Sequence, residues 1–450
     1  MTVSDLGRRE FLQQAAGAVA LTQASPAAAS RKPNILFVLS DQWRAQTLTT
    51  AGDPDIHAPN LKRLAEEGVQ FDRNYVSYPL CCPSRASIVT GRFPQACGMA
   101  DNRPIMPLGE RTMAQELKKI GYATGYIGKW HLDGNPGPNF VPPGERRRGF
   151  DYWAAYSRGH RYYNSVYYRD TDEPIQMGGY EPDYQTDLAI EFIKRNKDNP
   201  FYLYVSWGPP HEMPGRINGR YAFDRTPPAK YANFYKPGQF HLRPNVPKDY
   251  EATARKGLAG YYGLCSALDD NIGRLLNALN ETALADDTIV VFSSDHGDMV
   301  GSHGLEAKGV PYEESARAPL LIRYPRRIKA GRKDNLMISN VDYMPTLLTL
   351  CGAPVQKQVQ GRDLSQQVLG GQGERPDSIL SVCDLGSPRE WRMVVRGQDK
   401  LVVDVLRRPT RLYNLSEDPF EMRNLVNDPA HAKKKAELHE LLNNWILRVG

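Results

Sequence analysis

The chain has 450 residues, with 57 Lys and Arg against 51 Asp and Glu, and a formal net charge of +6. Hydrophobic residues make up 41% and charged residues 24%, which excludes a mostly disordered chain. The length suits one large α/β domain or two ordinary ones, each with a full core. No run approaches about 18 apolar residues, and no basic tract gathers the surplus charge, so stable membrane insertion and nucleic acid are both excluded as expectations.

Residues 1–29 read as an address. Arg8-Arg9-Glu10-Phe11-Leu12 precedes the apolar run from Ala15 to Leu21 and the small residues Ala27-Ala28-Ala29. That order describes a twin-arginine (Tat) signal peptide, with an ordinary amphipathic helix as the alternative. The expectation is Tat export, with transient contact to that machinery, and a periplasmic or extracellular protein.

Apolar runs at 34–40, 122–128, 201–207, 288–294 and 320–324 read as buried strands. Helical patterns fall at 59–67, 112–120, 186–195 and 253–279, the last with Leu258, Tyr261, Cys265, Leu268, Ile272, Leu275 and Leu279 on one face. Near-continuous apolar strands alternating with helices imply an α/β fold, its mostly parallel sheet covered on both faces. Past about 375 the pattern changes to short antiparallel strands at 391–395, 401–405 and 411–413. A closing helix follows, with Leu438, Leu441, Leu442, Trp445 and Ile446 at helical spacing. The expected organisation is a catalytic domain over 30–374 and a small α+β subdomain over 375–450, joined at the Gly/Gln-rich stretch 370–375.

In an open parallel sheet, ligands bind beyond the carboxyl ends of the strands. Asp41-Gln42, Lys129-Trp130-His131, His211 and Asp295-His296-Gly297-Asp298 all stand just past a predicted strand. One such residue is ordinarily a turn former or a cap. Together they describe oxygen and nitrogen donors for a hard divalent cation, Ca²⁺ before Mg²⁺ or Mn²⁺. Elsewhere, Cys81-Cys82-Pro83-Ser84-Arg85 leads into a helix that stops at Gly91. Pro83 suits the first helical position, which would set Cys81 beside a helix N-terminus where anions are favoured. That reads as a nucleophile at an anion site, or as a buried Cys pair over a core helix. The six cysteines contain no Cys-x-x-Cys pair, so structural zinc is not expected.

The segment 81–85, with Thr90-Gly91-Arg92, resembles the type I sulfatase signature. Gly128-Lys129-Trp130-His131, Ser294-Asp295-His296-Gly297-Asp298, Lys308 and the segment 413–425 are similar to further motifs of that family. The resemblance spans nearly all of residues 33–427. It implies an alkaline-phosphatase-like sandwich and a formylglycine at 81, made from Cys81 by a separate formylglycine-generating enzyme. One hydroxyl of the hydrated aldehyde would attack sulfur and the other would expel sulfate. By position, Asp41, Gln42, Asp295, His296 and the modified Cys81 would ligate the metal. Arg85 and Lys129 would hold charge, His131 would steady the formylglycine, and His211 or Lys308 would protonate the leaving oxygen. Asn102 would contact a sulfate oxygen. His160, in the polar aromatic stretch 157–163, is either a loop wall or a substrate subsite. Gln42 stands where many sulfatases carry Asp, and His296 where many carry Asn. Both departures resemble the phosphonate monoesterase branch of the same superfamily. The expected function is therefore hydrolysis of sulfate esters, of a sulfated small molecule or glycan. Phosphonate monoester or phosphodiester hydrolysis on the same site is the alternative.

Overall fold

A computed structural model describes residues 31–134, 139–217 and 220–449, without the side chains of 214–223. The signal-peptide reading lies outside the described residues. Eight strands form the main sheet: Asn34–Asp41 (β1), Val69–Tyr75 (β2), Ala123–Lys129 (β3), Tyr152–Tyr156 (β4), Phe201–Pro210 (β5), Thr288–Ser294 (β6), Leu320–Arg323 (β7) and Arg332–Ser339 (β8). Their order is β8-β2-β7-β6-β1-β5-β3-β4. β1 lies between β6 and β5, parallel to both, and β3 continues the parallel set to β4. Only β7 runs against its neighbours, β6 and β2, so the predicted strand at 320–324 is correct in place and opposite in direction.

Alternation along β1 divides the core. Ile35, Phe37 and Leu39 join one apolar layer, while Leu36 and Val38 join the other. The first layer takes residues from the helices Cys81–Thr90 (α1), Met113–Lys119 (α2) and Tyr343–Leu350 (α3). The second takes residues from Glu181–Arg195 (α4) and Glu251–Glu281 (α5). Every residue of the predicted stripe on α5, from Leu258 to Leu279, is buried, because the 3.6-residue period keeps that stripe on the sheet. On α2, Thr112 and Gln115 form a reciprocal capping box, the local reason the helix starts there.

β2, β4 and β8 were not foreseen, because β2 (VQFDRNY) and β8 (RKDNLMIS) carry polar residues through half their length. Both lie towards one edge of the sheet, where polar residues are tolerated.

The second sheet is antiparallel, built from Ser378–Cys383 (β9), Trp391–Arg396 (β10), Asp399–Asp404 (β11) and Pro409–Asn414 (β12). The closing helix Ala432–Val449 (α6) covers it with Leu438, Leu442, Trp445 and Val449. Residues 33–450 form one compact unit. A buried ion cluster ties the second sheet to the first: Lys400 Nζ on β11 lies 3.0 Å from Glu313 Oε1 and 2.6 Å from Glu421 Oε1, with Lys400 fully buried. The Glu313 N–H donates to Glu421 Oε2 at 2.8 Å, and Tyr75 Oη donates to Glu313 Oε2 at 3.0 Å.

Removing one partner of such a cluster strands the opposite charge away from water. Lys400→Ala is therefore expected to lose about 3–5 kcal/mol of stability. A lowered denaturant midpoint at unchanged slope is the readout; an unshifted midpoint refutes the assignment.

Candidate active site

The carboxyl ends of β1, β3, β5 and β6 converge on one edge of the main sheet, with Asp41, Lys129, His211 and Asp295 at or just past them. The backbone turns sharply there. Gln42 (φ +73) and His131 (φ +57) adopt the left-handed region that non-glycine residues rarely use. Gly297 is required by contact, since a Cβ there would meet the Glu314 carbonyl oxygen at 1.9 Å.

α1 enters this edge from the first apolar layer, with all ten of its residues buried. It begins at Cys81, so Pro83 is its third residue rather than its first, a correction to the sequence reading. The first-turn N–H groups of a helix have no partner within it, so proline costs nothing at that depth. Leu80 supplies no side-chain cap. Asn102 Oδ1 instead accepts the Cys82 N–H at 2.9 Å, which places Asn102 at the helix N-terminus.

Arg85, one turn along α1 and buried, joins the strand ends. Its Nε lies 2.9 Å from Asp295 Oδ2 and its second terminal nitrogen 3.1 Å from Asp41 Oδ2. The remaining terminal nitrogen donates to the Lys129 carbonyl at 2.8 Å and to Ser206 Oγ at 2.7 Å. Lys129 Nζ is 2.6 Å from the same Asp41 Oδ2. Burial pushes the Asp41 carboxyl up, but Lys129, His211 and Arg85 outweigh it and hold the group well below the usual range.

Asp41, Cys81, Asp295 and His296 each offer one ligand atom, all buried and all within 4.8 Å of one another. Cys81 Sγ is 3.3 Å from His296 Nε2 and 3.8 Å from Asp41 Oδ1. His296 Nε2 is 3.7 Å from Asp41 Oδ1 and 3.6 Å from Asp295 Oδ1. The opposite ring nitrogen donates to the Gly297 carbonyl at 3.0 Å, so Nε2 faces into the cluster, where a bound cation would take the place of its proton. Burial alone would lower this imidazole, yet Asp295 and Cys81 raise it to about 9. The cluster therefore carries an excess of negative charge that suits a divalent cation, and its oxygen and nitrogen donors fit one.

Gln42 stands at the rim. Its N–H donates to Asp295 Oδ1 at 3.1 Å, and its side-chain Nε2 donates to Glu212 Oε2 at 2.6 Å and Asp298 Oδ2 at 2.7 Å. Two carboxylates on one side fix the amide's orientation, so Oε1 faces the Lys308 ammonium, from which it accepts. Arg225 pairs with Glu212 at 3.2 Å and also with Asp298. Glu212 and Arg225 were missed in the sequence, and Asp298 was quoted without a role. Glu212 directly follows His211, which was a usable signal; Arg225 carried none.

Two histidines face two lysines. His160 and His211 stack with ring centroids 3.5 Å apart. His160 Nε2 is 3.1 Å from Lys129 Nζ, and His211 Nε2 is 2.6 Å from Lys308 Nζ. His211 Nδ1 donates to the Glu212 carbonyl at 2.8 Å, so its Nε2 is an acceptor for the ammonium. Both rings are held well below the ordinary histidine range. Burial is the chief cause for each, followed by Lys129 for His160 and by His160 and Lys308 for His211. His131 is buried and depressed by burial and then by Lys129 and Arg85, and its Nδ1 has no hydrogen-bond partner among the described residues. The predicted site residues thus come together, with Asn102 at the helix N-terminus beside them.

A mostly parallel sheet covered on both faces, with a buried Asp, Cys, Asp and His cluster at its strand ends, fits the alkaline-phosphatase-like hydrolases. The sulfatase family model matches residues 33–353, and that of the N-sulphoglucosamine sulphohydrolase C-terminal region matches 301–447. The chain is 35% identical to an ulvan-active sulfatase of Formosa agariphila, over 93% of this chain and 82% of that protein. It is 30% identical to an N-acetylglucosamine-6-O-sulfatase of Bacteroides thetaiotaomicron, over 92% and 86%. The crystal structure of a Bacteroides fragilis protein named as the sulfatase yidJ superposes with a TM-score of 0.84 at 28% identity, over 95% of this chain and 98% of that one. The chain belongs to the sulfatase family, type I, and is a sulfuric ester hydrolase, a family whose chemistry implies a metal ion and a cysteine-derived formylglycine.

Asp295 is shared between the metal cluster and Arg85. Asp295→Ala is expected to lose bound divalent metal and activity together. Elemental analysis of the purified variant checks this, and wild-type metal content would remove Asp295 from the ligand set.

Proposed function

We propose that this sulfatase removes sulfate from a carbohydrate ester, with Cys81 as the precursor of its nucleophile. The observation that carries the reading is the position of Cys81: first residue of a buried helix, 3.3 Å from His296 and 3.8 Å from Asp41. Burial and Asp41 push this thiol up, but Lys129, Lys308 and His296 outweigh them and lower it, so the position is built for an anion. A thiolate is nonetheless a soft group in a hard-cation site, and its attack on sulfur offers no route to turnover. Formylglycine at 81, installed by a formylglycine-generating enzyme, supplies a hydroxyl nucleophile in its place. The N-acetylglucosamine-6-O-sulfatase relative supports a sugar substrate.

Asp41, Asp295, His296 and residue 81 would hold the cation; the Gln42 amide oxygen, expected from the sequence as a further donor, instead accepts from Lys308. When bound, that cation, Ca²⁺ by the oxygen-rich donor set, with Mg²⁺ or Mn²⁺ as alternatives, supplies Lewis-acid stabilisation of developing negative charge. The chain's own residues do the rest. Lys129, Lys308 and Arg85 surround the sulfuryl group with positive charge, which lowers the cost of the charge that builds on its oxygens. Asn102 uses its oxygen on the Cys82 N–H, so its amide nitrogen is the donor left for a sulfate oxygen. His131 steadies residue 81, and His160 faces the sugar. Lys308 donates to His211 Nε2 across 2.6 Å, and through this pair a proton passes to the leaving oxygen. Neutral His211 alone could not donate from Nε2, because its own proton is committed to the Glu212 carbonyl.

The same reading takes residues 1–29 as a Tat signal and the mature protein as periplasmic or extracellular, with 375–450 as a C-terminal subdomain. Among the described residues, no helix is long and apolar enough to cross a membrane.

Active protein is expected to carry an aldehyde at 81 and an ordinary thiol at Cys82, and to prefer an aryl sulfate to an aryl phosphonate. Cys81→Ser, made where only cysteine is modified, should be inactive, whereas Cys82→Thr should keep most activity. Peptide mass spectrometry across 78–85 decides the first point, and unmodified Cys81 in fully active enzyme overturns it. A dominant phosphonate activity would establish the alternative reaction. His211→Ala should slow sulfates of poor leaving groups far more than activated aryl sulfates, since a stable phenolate needs little protonation. Equal losses on both would remove His211 from proton delivery.

A further inference from the structure

Two cavities meet the loop at Ala307, only one of them lined by Lys308, and they differ in charge. One, of about 590 Å³, is reached past Glu212 and is lined by the carboxylates Glu212, Asp224 and Glu306. Of its two cations, Arg225 is neutralised by Glu212 and Asp298, which leaves Lys256 against Asp224 and Glu306. The other, of about 550 Å³, begins at Leu80, the residue before Cys81, and at Lys308 itself. Its far wall is the second sheet, where the end of β9, the start of β10, the end of β11 and the start of β12 meet.

The charges on that wall are unequally engaged. Asp384 pairs with Arg389 at 3.1 Å. Glu390 receives Arg392 Nε at 2.7 Å and the Gly386 N–H at 2.8 Å. Asp404 receives Arg408 Nε at 2.8 Å and the N–H groups of Leu406 and Arg408 at 2.9 Å each. Arg411 has no carboxylate: among the described residues it forms no ion pair, and its guanidinium lies over the Tyr312 ring at 5.5 Å. The cavity thus presents an uncommitted guanidinium in the same chamber as Lys308. The wall is also pinned to the active-site loop, because Trp391 Nε1 donates to the Gly309 carbonyl at 2.8 Å. Arg411 is therefore held in register with Lys308 rather than carried on a separate body.

We propose that this cavity is a subsite for an anionic substituent, a carboxylate or a second sulfate, on the sugar next to the one being desulfated, with Arg411 as its main contact. The inference rests on the carbohydrate reading of the site and deepens it. Its direction follows from charge: an anionic neighbour is repelled by Glu212, Asp224 and Glu306 on one side and attracted by Arg411 on the other. A planar guanidinium backed by an aromatic ring presents its edge donors to a carboxylate or sulfate oxygen pair. The Arg389 side chain, 83% exposed, stands in the same wall and already holds Asp384, so it contributes less.

Calorimetric titration of the full-length enzyme separates this proposal from the reaction itself. Three sulfate-free or singly sulfated probes are used: a hexuronate disaccharide, the same disaccharide with its carboxyl reduced to an alcohol, and the reduced disaccharide carrying one sulfate on that same sugar. At least one anionic probe is expected to bind about tenfold tighter than the neutral one, the size of a single charge-assisted contact. The arm that shows the gain identifies carboxylate or sulfate as the group recognised. In Arg411→Ala the advantage should shrink to within about twofold, and Arg411→Gln, which keeps the reach without the charge, should do the same. Equal binding of all three probes, no binding by either anion, or an anionic advantage that survives both substitutions overturns the subsite. Aryl sulfate hydrolysis by the same preparation reports independently on the reaction, so failure of the one reading is not confused with failure of the other.

Discussion

Everything at this site depends on the buried guanidinium of Arg85. It reaches Asp41 at the end of β1, Asp295 just past β6, the Lys129 carbonyl at the end of β3 and Ser206 on β5, while its own backbone lies in α1. One side chain therefore sets four strands and the helix that carries Cys81 in a common frame. A buried cation of this kind is tolerated only because its donors are matched to two carboxylates and two neutral oxygens. The same match, with Lys129, holds the Asp41 carboxyl well below the usual carboxylate range. Structure and reactivity are here the same set of bonds.

Around that frame the site alternates charge. Asp41 faces Arg85 and Lys129, Asp295 faces Arg85 and His296, and the Gln42 amide mediates between Lys308 on one side and Glu212 and Asp298 on the other. The two stacked histidines accept from the two lysines and stay neutral because burial and those ammonium groups both oppose a further charge. The result is a pocket lined by positive charge next to a buried Asp, Cys, Asp and His cluster that could hold a cation. An amide at 42 suits that boundary better than a third carboxylate, which would add charge between Glu212 and Asp298.

The second sheet belongs to the same chemistry. Lys400 on β11 binds Glu313, five residues beyond Lys308, and Trp391 on β10 binds Gly309, one residue beyond it. Both contacts hold the loop that carries the ammonium facing His211. A C-terminal sheet with its own apolar cluster thus acts on the active site through the loop it braces, and it also forms one wall of the cavity that Lys308 opens into.

The strand and helix pattern was legible because burial on both faces writes itself into a sequence: β1 and β6 are buried throughout and apolar along their middles, and α5 repeats at helical spacing from Leu258 to Leu279. The chemistry was legible where residues cluster along the chain, as at 81–85, 128–131 and 295–298. β2 and β8 were not, since a strand near a sheet edge needs no apolar run, and the antiparallel direction of β7 leaves no trace in its composition. Pro83 misled by two positions, because proline is tolerated throughout the first turn of a helix. What the sequence by itself determined is therefore the fold class and the residues that gather at the strand ends, Asp41, Cys81, Asp295 and His296 among them, since local spacing encodes them. Tertiary structure alone decided that Glu212, Arg225 and Asp298 enclose Gln42, that His160 stacks on His211, and that Arg411 shares a chamber with Lys308. Those pairings join residues tens to hundreds of positions apart, and only packing of the sheets brings their charges within reach of one another.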